Sequence, residues 1–340
     1  MSIHFGGFTS DSDVDAYGFR KPEDFDAAKY EQFMNEYLPV LARRNQRWDT
    51  FLNQAGSEGQ LPDSFLARRK LKRFVRKGVP VSWRPKIWML VSGAQGRMMQ
   101  FPGEYRRLTQ VLPPDDVAYA IDLDLNRTFP DNEYFRNMPG SLLDELKVVL
   151  TAFANKNPHI GYCQGLNYLT AMLLLILRNS EQSFWLLHSI ISDLPDYYCA
   201  GMPGLVSDMA VLNELLKTKA PDISAHFERI GFDPAMLITK WFVCWYLETL
   251  PIETVLRIWD CFFNEGSKIL FRVALTLIMK NKQRFLECQS FSDITDLFKQ
   301  ITADDYVLEC HNFMQDLFSI TGSLSSKLVQ DLRTKHENKS

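Results

Sequence analysis

The sequence lacks any apolar run long enough to cross a membrane. Its longest, Leu169–Leu177, falls well short of the ~20 residues that a spanning helix needs, and reads as a buried helix. Met1-Ser2-Ile3-His4-Phe5-Gly6-Gly7 has neither a basic n-region nor an apolar core, so no secretory leader is expected. Ser2 also stands where N-myristoylation requires glycine. The six cysteines (Cys163, Cys199, Cys244, Cys261, Cys288, Cys310) show no paired spacing. Scattered among apolar neighbours, they read as small buried hydrophobes of a reduced, cytoplasmic protein. A basic excess is missing too. The net charge of −3 gives no global field for nucleic acid.

Catalytic and nucleotide motifs are equally scarce. Gly266-Ser267-Lys268 is not a phosphate loop, which needs Gly-x-x-x-x-Gly-Lys-Ser/Thr ahead of a helix. No Gly-x-Ser-x-Gly elbow occurs. His159 and Cys163 lie four apart, but two ligands make no zinc site. The chain is therefore expected to carry no cofactor or metal of its own.

What remains is helix pattern. The hydrophobic fraction of 46% over 340 residues supplies material for one large or two ordinary domains. Leu142, Leu143, Leu146, Val149, Leu150 and Phe153 recur at steps of three and four, one helical stripe. Ser141, with Asp144 three residues on, is placed for a capping box. Asp233-Pro234 opens a helix expected to reach about Leu250, and another is expected over Lys268–Leu286. No sustained alternation marks a strand, and no period of 20–50 residues recurs. The expectation is an all-α fold of a dozen or more helices. Residues 1–30 are acidic and expected to be mostly disordered. Residues 31–70 read as a helix and a flexible link around 53–63, 71–275 as the core, and 276–340 as C-terminal helices ending in a disordered tail. A basic run over residues 68–86 reads first as a solvated helix face.

Two short stretches stand out. One is Ile121-x-x-Asp124-x-x-Arg127; the other is Tyr162-Cys163-Gln164-Gly165, continued by Leu166-Asn167-Tyr168. They resemble the two signature motifs of the TBC domain, the GTPase-activating domain for Rab proteins. Arg76-Lys77-Gly78-Val79-Pro80 with Arg84 and Trp88, Ser183–Leu187, Trp241-Phe242 and Arg257-Ile258-Trp259-Asp260 resemble further blocks, in family order. The resemblance spans roughly residues 71–320.

It implies an all-helical domain with a groove for a GTP-bound Rab, and a role in vesicle trafficking. GTP and magnesium would be carried by that partner. It also implies two catalytic side chains supplied in trans, Arg127 as an arginine finger and Gln164 as a glutamine finger. Asp124, three before Arg127, is expected to share a helix face with it and hold the guanidinium extended. Ile121 would anchor the helix, Gly165 bend the backbone, Asn167 hold the loop, and Tyr162 pack. Arg127 and Gln164 are both expected to be exposed. A Rab-binding scaffold without catalysis is the alternative of a different class, and a helical adaptor unrelated to GTPases a third.

Overall fold

A computed structural model describes residues 14–20, 27–54, 65–136, 138 and 140–337. Among these residues regular structure is helical, nineteen α-helices and one 3-10 turn, and β-pairing is confined to a single bridge between Val14 and Arg20. The fold is all-α. The chain divides into two compact units, one up to Ser192 and one from Asp193 onward. That division falls inside the expected 71–275 core.

The first unit holds α1 (Ala27–Gln54), α2 (Phe65–Lys77), a 3-10 turn (Val81–Trp83), α3 (Arg84–Val91), α4 (Ala94–Gln100) and α5 (Glu104–Leu108). It continues with α6 (Asp115–Leu125), α7 (Leu143–Lys156), α8 (Leu166–Leu177) and α9 (Ser180–Asp193). Its centre is α8, where every residue except Tyr168 is buried. A helix apolar on all sides must be covered on all sides, and α3, α6 and α7 pack against it. The stripe read from α7 behaves as its spacing predicts: Leu143, Leu146, Val149, Leu150 and Phe153 are buried. Its capping does not. Leu142 occupies the N-cap without a side-chain bond, while Ser141 Oγ accepts only a long bond from the Leu143 N–H at 3.4 Å. The Asp144 box does not form.

Two N-terminal expectations are revised. First, α1 runs through Pro39 to Gln54, so the start of the expected 53–63 link is helical; residues 55–64 lie outside the described residues. Trp48 on α1 is buried, and its indole N–H donates to the Gly78 carbonyl at 2.9 Å. The helix thus belongs to the first unit. Second, within the segment expected to be disordered, residues 14–20 form a folded turn whose Asp15, Tyr17 and Phe19 are buried. Residues 27–30 of that segment are already helical, as the start of α1; residues 1–13 and 21–26 lie outside the described residues, as does the tail after residue 337.

The second unit holds α10 (Pro203–Lys219), α11 (Pro221–Ile230), α12 (Ala235–Val243), α13 (Ile252–Glu265) and α14 (Lys268–Lys280). After them come α15 (Lys282–Glu287), α16 (Phe291–Ile301), α17 (Asp305–Leu308), α18 (Cys310–Ser319) and α19 (Ser326–Glu337). Two long helices expected here are broken. The one opened by Asp233-Pro234 stops at Val243, because Trp245 and Tyr246 take left-handed backbone angles (φ 47° and 68°). The turn drives both rings into the core, where Tyr246 Oη donates to the Leu270 carbonyl at 2.7 Å. The other breaks at Asn281, whose amide bonds the Leu277 carbonyl at 2.9 Å. Arg257 and Asp260, on α13, are both buried and 4.0 Å apart, an internal pair as their spacing suggests.

Asp208 and Arg333 tie α19 to α10. Arg333 Nε and Nη2 donate to the two carboxylate oxygens at 2.6 and 2.7 Å, and Tyr197 Oη donates to the same carboxylate. Buried charges are tolerated only when paired and bonded in this way. Asp208→Ala strands the guanidinium and is expected to destabilise the second unit by about 3–5 kcal/mol, read as a lower midpoint in urea unfolding.

Candidate functional site

Both signature stretches lie in the first unit, one on the last turns of α6 and the turn after it, the other on the loop that leads into α8. Pro113-Pro114 leads into α6, and Asp115 and Asp116 occupy its first turn, where negative charge complements the helix dipole. Val117, Ile121 and Asp124 form the inner side of α6; Ile121 is 1% exposed, the anchor its position suggested. The helix stops at Leu125. Thr128, fully buried, closes the end: its hydroxyl donates to the Asp124 carbonyl at 2.6 Å and its N–H to the Leu125 carbonyl at 3.1 Å. Beyond it Phe129 is left-handed (φ 49°), an uncommon backbone state for a bulky residue.

Arg127 therefore sits in the turn past α6, not on its helical face. The expected ion pair forms all the same. Arg127 Nη2 contacts Asp124 Oδ1, with the arginine side chain 51% exposed and the aspartate 4%. The second oxygen of Asp124 accepts the Tyr162 hydroxyl at 2.5 Å. Tyr162 is thus more than packing. Burial first, then the bond to Asp124, push its phenol well above the ordinary range, so it remains a donor. A buried carboxylate held by two donors has few other geometries open to it.

The second loop begins where α7 ends. Asn157, buried, donates from Nδ2 to the Phe153 carbonyl at 2.8 Å, and its own carbonyl accepts the N–H groups of Ile160 and Gly161 at 2.9 Å. Its Oδ1 meets His188 Nδ1 at 3.1 Å; with Nδ2 committed to Phe153, the histidine is the donor. Gly161 (φ +59°) lies against Val117, and an added Cβ would approach that side chain to 3.3 Å. Gln164 is exposed. Gly165 follows with φ 106°, an angle that side chains other than hydrogen rarely adopt, and serves as the N-cap of α8.

Asn167 joins the two loops. It is fully buried on the first turn of α8. Its Nδ2 donates to Thr128 Oγ1 at 2.8 Å, and its Oδ1 accepts the Gly165 N–H at 3.0 Å. The residue after Arg127 and the residue after Gln164 are thereby bonded to one amide. Tyr168 adds a third tie, its hydroxyl donating to the Arg127 carbonyl at 3.1 Å. Asn167 was legible as a loop holder; Thr128 and Tyr168 were not. A hydroxyl four residues after Asp124 is the usual position for back-bonding a helix carbonyl, the one signal that could have marked Thr128.

Cys163 beside Gln164 is half-buried, and burial raises its thiol, so it is no thiolate nucleophile. No cluster of three metal-ligating side chains occurs among the described residues. On the outer side of α6, Tyr119 and Leu123 are exposed one turn apart, leading towards Arg127.

Three comparisons bear on this arrangement. The RabGAP-TBC family, described as the Rab-GTPase-TBC domain, matches residues 81–286. The chain is similar to growth hormone-regulated TBC protein 1 of Homo sapiens, 49% identical over 322 residues and covering 94% of each chain. The Mus musculus protein of that name is 45% identical over 341 residues, with 94% of this chain and 92% of the relative covered. Among solved structures, the Chlamydomonas flagellar RabGAP TBC domain superposes with a TM-score of 0.73 at 29% identity, covering 90% of this chain and 99% of that one. The Ypt/Rab-GAP domain of Gyp1p, 20% identical, shares the fold with a TM-score of 0.67 over 83% of this chain and 98% of its own. Among the described residues no helix is long and apolar enough to cross a membrane.

His188 supplies a pH test of the second loop. Burial, then Arg97 and Lys156, hold its imidazole down at about 4 against an ordinary 6.5. The folded state thus binds fewer protons than the unfolded one between those values, so stability rises with pH there. The contribution is complete above about pH 6.5 and fades as pH falls towards 4. The stability difference between the parent and His188→Gln is expected to shrink across that window in urea titrations.

Proposed function

The chain belongs to the Rab-GTPase-TBC domain family, and on that premise we propose that it stimulates GTP hydrolysis by a Rab-family GTPase, with Arg127 and Gln164 supplied in trans. The partner brings GTP and magnesium. A small GTPase is slow alone because charge develops on the phosphoryl oxygens and the attacking water is poorly held. A guanidinium answers the first need, being planar, always charged and multidentate. A carboxamide answers the second, since it accepts from the water and donates to the γ-phosphate.

The observation that carries this reading is the pairing of two exposed polar side chains, Arg127 and Gln164, whose following residues share the Asn167 amide. Preorganised groups act without reorganisation at the moment of reaction. Asp124 engages one terminal nitrogen of Arg127, which leaves the remaining N–H donors for phosphate oxygens. Tyr162 fixes the carboxylate, so the guanidinium is aimed before any partner arrives. Tyr119 and Leu123 suit an apolar surface of the partner next to its phosphate site, the kind of buried core that carries interface energy.

A panel of GTP-loaded Rab proteins, assayed with parent and variants, tests the proposal. Arg127→Ala is expected to lower the stimulated rate by roughly 10³–10⁵, or about 4–7 kcal/mol of barrier, with circular dichroism unchanged. Arg127→Lys should be nearly as damaging, because one ammonium cannot bridge as a guanidinium does. Gln164→Ala should return the rate to near background. An Arg127→Ala protein that stimulates like the parent defeats the mechanism. GTP-dependent binding without any rate change favours the non-catalytic scaffold.

In the same assay, Leu123→Asp is expected to raise KM by about tenfold or more while leaving kcat within about twofold. A fall in kcat at unchanged KM would remove the α6 face from the interface.

A further inference from the structure

The folded turn at residues 14–20 is remote in sequence from both signature stretches, yet it is bonded to the loop that begins at Arg127. The turn is closed on itself. Asp15 N donates to the Phe19 carbonyl at 2.8 Å, and Asp15 Oδ1 accepts the N–H groups of Tyr17 and Phe19 at 2.8 and 2.9 Å. Such a carboxylate replaces the bonds that a free chain end makes with water. Gly18, at φ +82°, brings the backbone against Tyr134; a Cβ there would sit 2.6 Å from the ring.

One set of its outward contacts falls on residues 129–134. Asn132 Nδ2 donates to the Tyr17 carbonyl and Glu133 N–H to the Gly18 carbonyl, both at 2.9 Å. The Phe19 ring meets Phe129 edge to face, centroids 5.0 Å apart. Phe129 also meets Tyr168, centroids 5.3 Å apart, and Tyr168 is the residue whose hydroxyl holds the Arg127 carbonyl. From the other side Tyr17 Oη accepts Arg84 Nη1 at 3.0 Å, which anchors the turn to α3. The loop after Arg127 is thus gripped between α8 and this turn. A left-handed Phe129 has a backbone cost that surrounding contacts must offset, and Phe19 and Tyr168 supply two of them.

We propose that the turn from Val14 to Arg20 is a positioning element for Arg127, acting through Phe19 and Phe129. The proposal rests on Arg127 as the arginine finger. It assigns a catalytic consequence to a segment outside the part of the chain that matches the family. Phe19 touches neither nucleotide nor partner in this reading; it fixes the loop from which the guanidinium extends. Loss of the ring therefore lowers kcat and spares KM.

Two measurements on the full chain decide it. The first is amide hydrogen exchange of Phe19→Ala against the parent, which needs no GTPase. The Thr128 and Asn132 amides, whose acceptors are the Leu125 and Phe129 carbonyls and not the turn itself, are expected to exchange about tenfold faster, with α14 unchanged. Exchange at the parent rate would overturn the proposal. The second is steady-state kinetics with a Rab that the parent stimulates. The expected result is a fall in kcat of about 10- to 100-fold, KM within about twofold, and recovery of most of the rate in Phe19→Leu. Unchanged kcat, or an equal loss in kcat and in GTP-dependent binding, counts against the turn. If the parent stimulates no Rab, the finger reading fails, and the exchange result still decides whether the turn orders the loop.

Discussion

One buried side-chain amide sets the geometry on which the rest depends. Asn167 has a donor side and an acceptor side, and each is committed to a different loop, Thr128 on one and Gly165 on the other. A buried amide left half-satisfied costs about 1–3 kcal/mol, so neither loop can move away freely. The amide can do this because α8 is immobilised by burial along nearly its whole length. Core packing that has no chemical role thereby becomes the reference frame for two exposed polar groups.

Electrostatics adds direction to that frame. Asp124 is a buried carboxylate whose charge is balanced by an arginine that is half in water. The arrangement is asymmetric by necessity. The carboxylate must stay paired, whereas the guanidinium keeps most of its donors hydrated and available. Tyr162 makes the carboxylate less dependent on Arg127, since its hydroxyl is already committed to the second oxygen. The arginine is oriented without being locked.

Much of the site was legible because its signals are local. Asp124 and Arg127 are three apart, and Gly165 next to Gln164 announces a bend; both readings need only a few residues. The ion pair forms even though Arg127 lies beyond the helix end, because a turn that closes on Thr128 keeps the same spacing in space. What escaped notice is non-local. The bond from Tyr162 to Asp124 spans 38 residues and that from Asn132 to Tyr17 spans 115, and no periodicity encodes either. The fold shows the same divide. The stripe on α7 and the buried apolar run of α8 were readable, but the breaks at Trp245 and Asn281 arise where tertiary burial of a ring, or a side-chain bond to a helix carbonyl, overrides propensity. The acidic composition near the N-terminus suggested disorder, yet Asp15 spends its charge on local N–H groups, which composition alone cannot reveal.

The Asp208–Arg333 pair and the Tyr17–Arg84 bond bear on where the chain can be cut. The match to the family spans residues 81–286 and includes both Arg127 and Gln164. A fragment trimmed to those limits keeps Asp208 without Arg333, and Arg84 without Tyr17. It also loses Asp49, whose carboxylate accepts the Trp83 indole N–H at 2.9 Å. The stretch that matches the family is thus smaller than the stretch over which each unit makes its own buried bonds. The working length of this protein is set by where its buried charges find their counterparts, and those lie near both ends of the chain.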